Sequence, residues 1–142
     1  LAKGKLIAVF GCGGDRDRGK RAPMGRAAAS LSDLVILTSD NPRSEDPLAI
    51  IAAIEGGVRD GLAARSPARP SAFSSQPYFT LPDRREAIER AVQTAEGGDL
   101  IVLAGKGHED YQIVGTARVP FDDRLVAEEA IARRLALQVR SA

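Results

Sequence analysis

Three stretches of this sequence set charged side chains among glycines or prolines: GCGGDRDRGKR at residues 11–21, TSDNPRSED at 38–46 and GKGHED at 105–110. The first carries Arg16, Arg18, Lys20 and Arg21 against Asp15 and Asp17. The second carries Asp40, Asn41 and Arg43, and the third Lys106, His108, Glu109 and Asp110. An arginine fork binds carboxylate or phosphate through paired hydrogen bonds, and a carboxylate binds ammonium. Loops holding both suit a zwitterion beside an anionic nucleotide. Glycine lets backbone N–H groups come close to a ligand, and Pro42 fixes φ within its turn and steadies Asn41 and Arg43.

Residues 14–21 read G-D-R-D-R-G-K-R, the spacing of a phosphate-binding loop followed by the wrong residue. Such a loop needs Ser or Thr after its Lys, because that hydroxyl ligates Mg²⁺. Arg21 stands there instead. From spacing alone this is a damaged nucleotide site, a chance match or a loop built for another ligand. Plainer roles compete elsewhere. Gly13 and Gly14 shape a turn, Cys12 reads as a small buried hydrophobe, and His108 reads as a structural hydrogen-bonding group ahead of a general base.

The elements that must position these loops are legible from hydropathy. LIAVF (6–10), LVIL (34–37) and LIVLA (100–104) are short continuous apolar runs, the pattern of buried strands. A helix is expected over 24–31 with Pro23 in its first turn. Another starts after Asp46-Pro47 and ends near Gly56-Gly57, and a third spans 84–95 behind Asp83. Asp122 caps a last helix running to about Val139. Leu48/Ile51/Ile54 and Leu125/Ala132/Leu135 are expected as core faces of their helices. Residues 59–77 read as a loop with a short strand at 72–74, and 111–114 as a short edge strand. Strands alternating with helices predict an α/β fold with a mainly parallel sheet flanked by helices. Right-handed crossovers bring the strands' C-terminal ends, and so the three charged loops, to one edge.

The 142 residues suit one domain spanning 1–142. Net charge is +1 and Trp is absent, which disfavours a nucleic-acid-binding domain built on the basic loop. One Cys and one His exclude a disulfide framework within the chain and argue against a zinc site, so no metal ligand is assigned. No signal peptide or bilayer-length apolar run is present, and a reducing, cytoplasmic setting fits. The chain begins at Leu1 rather than Met, as an excised domain would.

GCGGDRDRGKRAPMG, TSDNPRSEDP, AGKGHEDYQ and FDDR occur in an order and spacing that resembles the C-terminal domain of Mur ligases, from about Leu6 to Val139. DNPR at 40–43 resembles the motif of the members that use meso-diaminopimelate, whereas lysine-adding members differ there. The resemblance implies a Rossmann-like domain of an ATP-dependent amide ligase. That enzyme adds meso-diaminopimelate to UDP-N-acetylmuramoyl-L-alanyl-D-glutamate through an acyl phosphate, in peptidoglycan precursor synthesis. It implies that Arg16, Asp40, Asn41, Pro42, Arg43, Gly105 and Glu109 bind meso-diaminopimelate, with Arg18 and Lys20 as candidate phosphate contacts. In that light the first loop is an anion-binding loop and not a phosphate loop of the Mg²⁺ type. ATP and Mg²⁺ would be bound mainly by a central domain, and the UDP-sugar by an N-terminal one, neither found in this sequence. No catalytic residue is assigned within the chain, and the isolated chain is expected to be inactive. The alternatives are a stand-alone amino-acid-binding module and a lysine-adding or folylpolyglutamate-type ligase.

Overall fold

The structure is a computed structural model that describes residues 4–65 and 76–141. In chain order the elements are β1 (Leu6–Phe10), α1 (Arg21–Leu31) entered through a 3-10 turn (Arg18–Lys20), β2 (Leu34–Leu37), α2 (Pro47–Ala63) and β3 (Tyr78–Thr80). Then follow α3 (Arg84–Thr94), β4 (Leu100–Leu103), β5 (Tyr111–Val114), β6 (Ala117–Pro120) and α4 (Asp123–Ser141). β3, β2, β1 and β4 form one four-stranded sheet in that order, and every pairing is parallel. The expected architecture is therefore present.

Alternation along the central strands feeds a core on each face of the sheet. Val35 and Leu37 join Phe10 against Ala29 of α1 and Ile50, Ile51, Ile54 and Val58 of α2. Leu34 and Ile36 join Ile7 and Val9 against Ala87 and Ala91 of α3. A strand buried on both faces has no polar positions to show, which is why LVIL reads as an unbroken apolar run.

α2 continues past Gly56-Gly57, the pair expected to stop it, and runs on to Ala63. Those glycines serve helix packing. A Cβ on Gly57 would lie 1.8 Å from the Ala22 carbonyl oxygen, so only a bare backbone lets α1 and α2 cross this closely. Asp46 does cap α2, accepting from the Leu48 amide at 3.0 Å, and Asp83 caps α3, accepting from Glu86 at 3.2 Å.

The short strand expected at 111–114 is present. Residues 111–114 lie outside the four-stranded sheet. They pair antiparallel with β6 in a separate hairpin turning at Gly115. Leu125, Ala132 and Leu135 are not core: Leu125 and Leu135 are 51% and 55% exposed, and Ala132 is exposed too. α4 packs on α3 and buries a different stripe, Asp123, Val126 and Ala130. Polar contacts border that stripe: Arg85–Glu129 at 3.0 Å, Arg133–Glu89 at 3.3 Å, and Arg134 donating to the carbonyls of Val92 and Ala95. Leu48, in the first turn of α2, is also exposed, whereas Ile51 and Ile54 are core as expected. The strand anticipated at 72–74 lies outside the described residues.

Candidate functional site

β2, β1 and β4 are adjacent and parallel, so the loops after them leave from one edge of the sheet. The first two loops are clasped together. Gly14 donates its amide to the Asn41 carbonyl at 2.7 Å, and a Cβ there would sit 1.8 Å from the Pro42 carbonyl oxygen. Ser44 Oγ donates to Asp15 Oδ1 at 2.6 Å, and the Asp15 amide donates to Glu45 Oε2 at 2.7 Å.

Arg21, in the position where a phosphate loop would present a hydroxyl, turns inward and is only 4% exposed. Its Nη2 donates to Glu45 Oε2 at 2.8 Å and to the Gly13 carbonyl at 3.1 Å. Arg18 adds a second contact to Glu45 at 3.3 Å. The Arg21 hydrogen bond, then the Asp15 amide, hold the Glu45 carboxyl down at about 2, from an ordinary 4.5. Arg21 thus locks the loop instead of meeting a metal. Arg18 and Lys20 lie exposed in the 3-10 turn that leads into α1.

The second loop is held from the other side by the third loop and the hairpin. Lys106 is buried, with Nζ 3.3 Å from Asp40 Oδ1, 3.2 Å from Asn41 Oδ1 and 2.6 Å from the Tyr111 carbonyl. Asn41 Oδ1 also accepts from the Ile113 amide at 3.0 Å. Gln112 Nε2 donates to the Asp40 carbonyl at 2.8 Å. Arg43 donates its amide to Ile113 O at 3.0 Å and accepts from the Gly115 amide at 2.7 Å, forming an isolated bridge to β5. These bonds keep Arg43 at φ 51°, a region a branched L-residue rarely holds unaided.

Around this frame the expected ligand-binding side chains are placed as follows. Arg43 Nη1 donates to the Gly14 carbonyl at 2.9 Å. Arg16 is exposed and donates to the Asp15 carbonyl at 3.1 Å. Both arginines flank Gly13, where a Cβ would lie 3.0 Å from Arg43 Nη1 and 3.5 Å from Arg16 Cγ. Gly105, at φ 109°, faces Asp40: a Cβ there would be 3.7 Å from Asp40 Oδ2. Glu109 is half-buried and accepts from the Tyr111 hydroxyl at 3.1 Å, and Arg118 stacks on the Tyr111 ring at 3.8 Å. Asn41 and Pro42 are buried, so the loop offers a ligand mostly backbone at those positions.

His108 is exposed, and no hydrogen bond to its ring is found among the described residues, contrary to the structural role expected of it. Cys12 is half-buried against the α1/α2 core with Sγ 3.7 Å from Met24 Sδ, and burial pushes its thiol pKa up. That suits a small hydrophobe and not a nucleophile. Among the described residues no group of three or more His, Cys, Asp or Glu side chains could hold a metal. The first loop does not fit the Mg²⁺ site of a phosphate loop: Asp17 is taken as a cap by the Gly19 amide at 2.9 Å, and no loop hydroxyl follows Lys20.

Sequence reasoning gave Lys106, Gln112 and Glu45 no role. A basic residue between two glycines was the one visible sign of Lys106. Nothing local marks Gln112, whose importance comes from the hairpin's place in space.

Residues 1–107 match the family model described as Mur ligase, glutamate ligase domain. The chain belongs to the Mur ligase family. This Mur ligase domain is 51% identical over 134 residues to the UDP-N-acetylmuramoyl-L-alanyl-D-glutamate–2,6-diaminopimelate ligase of Gloeobacter violaceus, covering 94% of the chain and 24% of the relative. It is 53% identical over 126 residues to the ligase of the same name from Geobacter metallireducens, covering 87% and 25%. A solved structure of a ligase of that name superimposes with a TM-score of 0.77 at 44% identity, covering 94% of this chain and 25% of that one. The chain thus spans about a quarter of the length of the curated relatives it matches. Among the described residues no helix is long and apolar enough to cross a membrane.

Proposed function

We propose that this Mur ligase domain is the amino-acid-recognising part of a cytoplasmic, ATP-dependent ligase that joins meso-diaminopimelate to UDP-N-acetylmuramoyl-L-alanyl-D-glutamate. The observation that supports this reading is that Arg43 and Arg16 flank Gly13, the first with its Nη1 and the second with its Cγ nearest, on a loop framework that also holds Glu109 and Asp40. Two guanidinium forks suit the carboxylate at the far end of the amino acid, and the carboxylates suit its ammonium. The relatives' names point to the same substrates.

ATP, held with Mg²⁺ mainly by domains outside this chain, would supply the phosphoryl group that turns the glutamate γ-carboxylate into an acyl phosphate. The domain's own task is to hold the diaminopimelate so that its free amine faces that carbonyl carbon. Amide formation releases phosphate, and the amine loses a proton. L-Lysine lacks the distal carboxylate and would leave the arginine pair uncompensated. That costs about 3–5 kcal/mol in a closed site, roughly a thousandfold in affinity.

Calorimetric titration of the chain with meso-diaminopimelate, with L-lysine as control, tests the reading. Binding of the first alone is expected; equal binding of both, or of neither, would overturn a selective pocket within this domain. The purified chain should form no amide from ATP and the two substrates, since it assigns no residue to phosphoryl transfer. Turnover in a coupled phosphate-release assay would contradict this.

A further inference from the structure

Lys106 has a side chain with 0% solvent exposure. An ammonium has three donors and no acceptor, and burying it is costly unless all three are engaged. The structure supplies three acceptors: Asp40 Oδ1, Asn41 Oδ1 and the Tyr111 carbonyl, the last at 2.6 Å. The contact to Asp40 is an ion pair at 3.3 Å without hydrogen-bond alignment, so charge and not direction holds it. Lys106 follows β4, Asp40 and Asn41 follow β2, and Tyr111 opens the hairpin. One cation therefore ties three separate pieces of chain.

The tie extends outward from each acceptor. Asn41 Oδ1 also receives the Ile113 amide, and its carbonyl receives the Gly14 amide. The next residue but one, Arg43, is bridged to Ile113 and Gly115. Engaging Asp40 Oδ1 turns Oδ2 toward Gly105. Without the ammonium, Asp40 would be a largely buried carboxylate with no countercharge, and Asn41 would keep one of its partners.

We propose that Lys106 is a positioning residue. It touches no ligand itself but sets the Asp40–Arg43 segment and the hairpin in the arrangement that presents Arg43 and Asp40 Oδ2. What that arrangement binds rests on the function proposed above; the geometric role does not.

Amide hydrogen exchange by NMR on the full 142-residue chain, without ligand, tests the role. In Lys106→Met, the amides of Ile113, Arg43 and Gly115 should exchange at least about tenfold faster, while those of Val9 and Ile36 keep their rates. The double variant K106M/D40N, which removes the uncompensated carboxylate, keeps the test available should Lys106→Met alone not fold, and the same three amides should be faster in it. Unchanged exchange at these three positions, or an equal rise in β1 and β2, would overturn the proposal. Titration with meso-diaminopimelate is the second readout. Where the wild type binds, Lys106→Met should lose at least about tenfold in affinity with core exchange unchanged; equal affinity overturns the role. A wild type that binds nothing sinks the functional reading and leaves the exchange result to decide this one.

Discussion

Arg43 and Asp15 both sit at positive φ, 51° and 53°, where side chains other than Gly are strained. Each is held there by specific bonds, Arg43 by the hairpin and Asp15 by Ser44 and Glu45. Replacing Arg43 with Ala should lower meso-diaminopimelate affinity about tenfold or more in calorimetry, because one charge-assisted fork to the carboxylate is lost. Arg43→Lys should recover little, since an ammonium cannot make the paired bonds. Glu45 supplies a pH prediction. Its carboxyl is held at about 2 in the fold against an ordinary 4.5. A depressed acid stabilises the fold above its unfolded value, and that contribution fades as pH falls from about 4.5 toward 2. Arg21→Met should therefore destabilise the chain at pH 7 and flatten the acid limb of urea-denaturation midpoints between pH 5 and pH 2. Which charges matter was only half legible at this scale. The loops announce themselves, but in sequence Arg21 and Lys106 look like Arg18 and Lys20. Burial separates the pairs, and burial comes from contacts between distant loops.

The elements were easier to read where a strand is buried on both faces or a helix carries an Asp cap. β2 matches its apolar run, and Asp46 and Asp83 do cap α2 and α3. β3 and β6 escaped because three residues after a proline, and ARVP with its exposed Arg, carry no alternation. The α2 end was misread because glycine was taken as a stop signal when it marks a close helix crossing. Two neighbouring glycines should separate these roles. Gly57→Val places side-chain atoms against Ala22 and should destabilise by roughly 1–3 kcal/mol. A Cβ on Gly56 meets nothing within 4 Å, so Gly56→Ala should stabilise by about 0.5–1 kcal/mol. Chemical denaturation of both variants measures the contrast. The α4 face differs from the expectation because the helix carries several apolar stripes, and periodicity alone does not say which one meets α3.

At the scale of the whole molecule, one buried arginine joins the helical layer to the ligand edge. Arg84 makes a paired bond to Asp123 at 2.7 Å through both Nε and Nη2. It also donates to the carbonyls of Ser39 at 3.2 Å and Ala104 at 3.1 Å, where the second and third loops begin. Arg84→Met should destabilise by about 3–5 kcal/mol through the orphaned Asp123, and R84M/D123L should regain most of it in urea denaturation. The sequence could not show this joint, because its three partners lie on three separate parts of the chain. The β4 border has a consequence of a more practical kind. Among the described residues β4 pairs only with β1, and its Leu100 and Val102 are 47% and 40% exposed. Uncapped, apolar backbone of this sort recruits like strands. Light scattering of concentrated solutions should show growing particle mass on storage, and Val102→Lys should delay it, so the shelf life of a preparation would be set by the open side of one strand.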